Sequence, residues 1–171
     1  MSRRYFWTKT WGAPGFPEHE ALALSEESTR QRILKYIQPG DIVVYLTSKQ
    51  KEADPKRSGR IAGAVEIAHP LREVDVEPLS DGSRPPEDYR ERDGRFRWPY
   101  GIAVSRTWSF IEQESNDTLI PDHAGKGIQG AKDIHEMRPE EIDRLMPLSA
   151  IELVKGKASQ ELSFEDSLHR P

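Results

Sequence analysis

The stretch Ile37-Gln38-Pro39-Gly40-Asp41-Ile42-Val43-Val44-Tyr45-Leu46-Thr47-Ser48 decides how the chain folds. Pro39-Gly40-Asp41 is a turn, because proline fixes φ and glycine reaches conformations that other residues avoid. The β-branched and aromatic run behind it is a strand that ends in two hydroxyls. A polar, mostly basic segment then runs from Lys49 to Gly59, and Arg60-Ile61-Ala62-Gly63-Ala64-Val65-Glu66-Ile67 is the partner strand. Two rigid strands carrying a charged loop between them are how a small β-barrel builds the rim of a binding site.

Outward from this hairpin, Tyr5-Phe6-Trp7-Thr8-Lys9 reads as a first strand, and Trp11-Gly12-Ala13-Pro14-Gly15-Phe16-Pro17 as a loop with large aromatics. Residues Glu18 to Leu24 read as a short helix. A second helix spans Arg30 to Ile37, capped by Ser28 or Thr29, with Ile33, Leu34 and Ile37 on one face. After His69-Pro70, Val74 and Val76 alternate with acids as a short, half-exposed strand. Residues 80–97 form a charged surface insertion. Ile102 to Phe110 is a further strand, whose simplest register puts Ile102, Val104, Arg106 and Trp108 on one side. Ala131 to Glu136 reads as a short helix, and Pro139 opens another through Met146. Ser149 to Val154 is a last helical turn or a closing strand. The expectation is one α+β domain over residues 1–158, a small β-barrel of five to six strands flanked by helices, with a polar, fraying tail at 159–171.

Composition removes whole classes of chemistry. With no cysteine among 171 residues, disulfide scaffolds, cysteine-ligated zinc and thiol nucleophiles are all excluded. Arg3-Arg4 precede no long apolar run, and no segment approaches the roughly 18 apolar residues of a membrane span. A soluble, cytoplasmic protein without a membrane partner is expected. The net charge of −4 is unevenly spread. Residues 1–60 hold 11 Lys/Arg against 7 Asp/Glu, or +4, which leaves 14 against 22, or −8, for the rest. A basic patch on an acidic protein suits a confined polyanion contact; the plainer alternative is a solvated loop.

Several motifs fail on context. Gly125-Lys126-Gly127-Ile128-Gln129-Gly130 matches G-x-G-x-x-G, but Pro121-Asp122-His123-Ala124 precede it where a buried strand is required. It reads better as a close-packed turn. His19-Glu20 and His135-Glu136 each begin H-E-x-x-H, yet Ala23 and Pro139 occupy the fifth positions. No G-x-S-x-G occurs, and Glu140-Glu141 reads as a solvated helix face. The four tryptophans are more informative. Trp7 and Trp108 suit either core or pocket. Trp11 and Trp98 stand beside Gly and Pro in loops at the barrel mouth, where a free indole face can stack a flat ring.

Taken in order, Tyr5-Phe6-Trp7-Thr8-Lys9-Thr10, Ile37 to Tyr45 and Gly59-Arg60-Ile61-Ala62-Gly63-Ala64-Val65 resemble the EVE domain of the PUA-like superfamily, related to YTH and ASCH domains. The resemblance spans most of residues 4–155 and rests on the order and spacing of short motifs. It implies a non-catalytic reader, without a cofactor, of a modified nucleobase such as a modified cytosine or methylated adenine, in DNA rather than RNA. The base would be flipped into an aromatic pocket. Carried over position by position, that pocket uses Lys9, Thr10, Trp11, Tyr45, Thr47, Ser48 and Trp98. Lys49, Lys51, Arg57 and Arg106 would meet phosphates. Relatives in restriction systems carry a fused nuclease that has no counterpart here, so the implied partners are the modified nucleic acid and a separate nuclease or modification enzyme. An ASCH-type hydrolase of RNA or a modified nucleoside is the alternative, with Lys9 and Glu66 as its pair. A protein-interaction module whose tryptophans all lie in the core is a third.

Overall fold

A computed structural model describes residues 2–10, 21–47, 58–77, 90–111, 114–120, 134–154 and 159–170. Among them the chain runs β1 (Tyr5–Thr10), β2 (Ala21–Leu24), α1 (Glu27–Leu34), β3 (Ile42–Thr47), β4 (Ile61–Ile67), β5 (Glu73–Asp75) and β6 (Tyr100–Phe110). It continues through α2 (Asn116–Leu119), β7 (Ile134–Glu136), α3 (Pro139–Leu145), β8 (Ser149–Glu152), β9 (Glu161–Ser163) and α4 (Phe164–Leu168). One mixed sheet has the order β7-β1-β3-β4-β6-β8-β9, and β2 and β5 also pair with β6. The β1–β3 pair is parallel and every other pair is antiparallel. The fold is α+β, as the sequence implies, with nine strands among the described residues in place of five or six.

The turn at Gln38–Asp41 fixes where β3 begins. Gly40 has φ +87°, a region that favours glycine, and its N–H bonds to the Ile67 carbonyl at 2.9 Å. The buried Asp41 carboxylate accepts from Gln38 N (2.8 Å) and from the Arg4 guanidinium (2.7 Å), so the start of β1 is tied to the start of β3.

Both faces of the sheet are apolar. One core gathers Trp7, Ile42, Val44, Leu46, Trp108, Phe110 and Phe164, covered by α3 and α4. The other holds Phe6, Val43, Tyr45, Val65, Ile102 and, from α1, Ile33. Trp7 and Trp108 are 1% and 0% exposed, which makes both of them core residues. Strand β6 changes sides between the cores. Its register against β4 slips between the pairs Glu66↔Arg106 and Ile67↔Val104, leaving Ser105 as an extra residue. This β-bulge separates Ile102 and Val104 from Arg106 and Trp108, where unbroken alternation would put all four on one side.

Other expectations change for local reasons. Ala21–Leu24 is extended because it pairs with β6, and Ile134–Glu136 because it pairs with β1; tertiary pairing overrides the helical propensity of both. Helix α1 begins at Glu27, so Ser28 and Thr29 lie inside it and Glu26 takes the cap position, its side chain forming no bond to the N–H groups of the first turn. Buried Arg30 anchors that helix, ion-paired to Glu27 and stacked over Tyr100. Residues 161–168 do not fray. Strand β9 pairs with β8, and Phe164 packs edge-on against Trp108 with ring centroids 5.2 Å apart. Of the 80–97 insertion, residues 90–97 are described. The Gly125–Gly130 turn lies outside the described residues.

Gly101 is where β2 and β5 close on either side of β6. A Cβ there would stand 2.7 Å from Val76 Cγ2, 2.9 Å from Val74 Cγ2 and 3.1 Å from Ala21 Cβ. Gly101→Ala is therefore expected to destabilise the domain by about 1–3 kcal/mol in urea denaturation. The same change should cost less in a Val76→Ala background, which relieves the shortest contact.

Candidate functional site

Parallel pairing of β1 with β3 brings two strand ends together. Lys9 stands beside Leu46 and Thr10 beside Thr47. Side chains opposite one another in a sheet share a face, so Thr8, Thr10, Tyr45 and Thr47 lie on the side of Phe6 and Val43. Alternation assigns Lys9 to the Trp7 and Leu46 side. Of the residues assigned to the pocket, the structure thus joins Thr10, Tyr45 and Thr47 on one face, with half-buried Lys9 next to them on the other. Trp98 is half-buried in the approach to β6. Trp11, Ser48, Lys49, Lys51 and Arg57 lie outside the described residues.

The end of β3 is knotted to the start of β4 and to α2. Thr47 N donates to the Arg60 carbonyl (3.0 Å), Gly59 N to the Thr47 carbonyl (3.1 Å), and Asn116 N to the Gly59 carbonyl (2.9 Å). Asn116 Nδ2 also donates to the Thr47 carbonyl at 2.9 Å. Two side-chain oxygens here, Thr47 Oγ1 and Asn116 Oδ1, are buried without a hydrogen-bond partner, the two such oxygens among the described residues. Leaving a buried polar group unmatched costs about 1–3 kcal/mol. Asn116 is the residue that sequence reasoning missed. Its place beside Thr47, 69 residues away, carries no local signal.

Tyr45 belongs to the core below this rim. Burial pushes its hydroxyl well above the ordinary tyrosine value of 10.0, so the phenol stays protonated wherever the domain is used.

Arg106 has other work than phosphate binding. It pairs through two nitrogens with Glu152, donates to the Ser167 (2.7 Å) and Leu168 (3.0 Å) carbonyls, and lies over the Trp108 ring. Four of its five N–H donors are engaged in clamping β6 and β8 to the end of α4. The Lys9–Glu66 pair also fails to form. Glu66 is opposite Ile42 at the start of β3 and bonds to Arg3 (2.9 Å) and Ser105 (2.9 Å). Lys9 is four residues further along the strands, a separation of roughly 13 Å along their axis.

No family model and no curated protein matches the chain. Among solved structures it is similar to the N-terminal domain of Staphylothermus marinus McrB, at 9% identity and TM-score 0.50 over 84% of this chain and 96% of that one. A hypothetical protein from Leishmania major (11% identity, TM-score 0.42, 83% and 91% of the two chains) is a more distant likeness. So is a protein from Rhodopseudomonas palustris (14%, 0.42, 82% and 88%). At such identities the likeness to the McrB domain is one of fold alone. No helix among the described residues is long and apolar enough to cross a membrane.

Two outcomes follow from this chemistry. Arg106→Ala is expected to lower stability by about 2–3 kcal/mol, because it removes charge-assisted bonds to β8 and α4. For Tyr45 the raised value means that, above about pH 10, the unfolded chain loses a proton that the folded chain keeps. Stability is untouched by this group below that pH and falls above it. Tyr45→Phe should flatten the alkaline slope by up to about 1.4 kcal/mol per pH unit in urea midpoints; Tyr5, also raised mainly by burial, supplies a remaining part.

Proposed function

We propose that this domain is a non-catalytic reader of a modified base in DNA, a modified cytosine or methylated adenine, which it holds flipped out of the strand. The observation that carries this reading is the meeting of Thr10 and Thr47 in register, on the face of Tyr45, at the ends of two parallel strands. That is the position at which the resemblance to EVE domains puts a base pocket. Short hydroxyl side chains over a rigid apolar floor can hold the edge of a flat ring while aromatic walls take its faces. Trp11 and Trp98 are the proposed walls, and Ser48 and Lys9 flank the floor. Lys49, Lys51 and Arg57 are the proposed phosphate contacts, which set position without reading sequence. Flipping costs a few kcal/mol, which stacking and edge hydrogen bonds offset. A separate nuclease or modification enzyme would act on what this domain marks.

Fluorescence anisotropy on matched single-stranded oligonucleotides tests the reading. One central base is cytosine, 5-methylcytosine, 5-hydroxymethylcytosine, adenine or N6-methyladenine. At least one modified base should bind about tenfold tighter than its parent; equal affinity for all of them overturns the proposal. Trp11→Ala and Trp98→Ala should each weaken binding about tenfold or more while circular dichroism stays native. Replacing Lys49, Lys51 and Arg57 together by Ala should flatten the dependence of log K on log salt by about 2 units.

A further inference from the structure

The rim holds two oxygens whose chemistry is unused. Thr47 is completely buried and Asn116 is 7% exposed, and neither Thr47 Oγ1 nor Asn116 Oδ1 forms a hydrogen bond. The backbone does not call on them, since the Thr47 amide and carbonyl and the Asn116 amide are already bonded to the main chain or to Asn116 Nδ2. That last bond also fixes the amide. A carbonyl only accepts, so the atom 2.9 Å from the Thr47 carbonyl must be the NH2 group and the other must be the oxygen. The rim therefore offers one pure acceptor, Asn116 Oδ1, on the side chain whose amide nitrogen is bonded to the Thr47 carbonyl, and a hydroxyl that can donate, Thr47 Oγ1. Buried polar groups left unmatched in a native protein call for a specific explanation, and a bound partner is one.

Resting on the reader function above, we infer that Thr47 and Asn116 recognise the amino-bearing edge of the flipped base. An exocyclic N–H of a cytosine- or adenine-type base donates to Asn116 Oδ1, and the Thr47 hydroxyl donates to the adjacent ring nitrogen, N3 or N1. A 4-oxo or 6-oxo base sets an oxygen against Asn116 Oδ1 and presents N–H where the ring acceptor should be. The class selected is thus amino pyrimidine or amino purine, whatever its further modification.

The test uses the full chain and pairs of strands that differ at this edge. 5-Methylcytosine is compared with thymine, which keeps the methyl group and replaces the 4-amino group by oxygen, and adenine with hypoxanthine. In at least one pair the amino base should bind about tenfold tighter. Thr47→Val, nearly isosteric, should reduce that preference about tenfold with a thermal midpoint no lower than that of the parent. Thr47→Ser should retain the preference. Equal affinity within both pairs, or an unchanged preference in Thr47→Val, overturns the inference and leaves the two oxygens to ordered water. A protein that binds modified and unmodified amino bases alike, yet rejects oxo bases, removes modified-base reading and upholds the edge contact. Failure to bind any strand overturns both.

Discussion

Strand β6 must serve two cores, and the slip at Ser105 is what lets it. In an unbroken strand, alternate residues stay on one side, which would commit the polar Arg106 and the large Trp108 to the core of Ile102 and Val104. The extra residue shifts the phase, and it is held there by chemistry on both strands: the Ser105 hydroxyl donates to Glu66, whose carboxylate also pairs with Arg3. A bulge also bends and twists its strand. That bend allows Tyr100–Ala103 to pair with β2 and β5, while the second half of β6 pairs with β4 and β8. A matching slip in β4, where Ala62 is extra opposite β3, puts Ile61 in the core of Leu46 and Ala62 in the core of Val65, the reverse of what unbroken alternation gives. Two local irregularities thus let one sheet serve two cores.

What the sequence revealed follows from the range of each signal. Strands β3, β4 and β6 were legible because each is a run of six or more residues rich in β-branched and aromatic side chains, bounded by turn residues. Pro139 marked the start of α3 because proline suits the first helical position. Among the short strands, β5 was legible from the alternation of Val74 and Val76 with acids, and β8 was one of two readings of its segment. Strands β2 and β7 were not legible, since nothing in Ala21–Leu24 or Ile134–Glu136 distinguishes an extended segment from a helical turn before its partner is known. The phase of β6 was misread because a bulge is a property of two strands. Within the candidate site, Thr10, Tyr45 and Thr47 came from motif order, whereas Asn116 depends on a long-range contact with no local trace.

Arginine counts were a poor guide to binding charge for a related reason. The guanidinium forms several directed bonds at once, which suits it to fastening elements together. Arg4 fastens β1 to the Asp41 turn, Arg30 fastens α1 to the Val74 and Gly101 carbonyls of β5 and β6, and Arg106 fastens β6 to β8 and α4. Each is counted as a positive charge in the sequence, and each is committed to carboxylates or carbonyls in the fold. The lysines of the segment after β3 have no such planar fork, so electrostatic attraction of a polyanion falls to them in the proposed function.

The rim combines a rigid backbone with unmatched side chains, and the two properties support one another. Parallel strands lack the tight hairpin that would join their ends, so the ends of β1 and β3 must be braced from elsewhere. Gly59, Arg60 and Asn116 provide that brace through hydrogen bonds to the Thr47 main chain and to one another. With its backbone held this way, β3 can end in a buried threonine without relying on the hydroxyl for stability. A valine would pack there equally well and would leave no buried oxygen unmet. On the inference drawn above, a ligand completes the bonding of this threonine, and the stability forgone in the free domain becomes selectivity in the bound one.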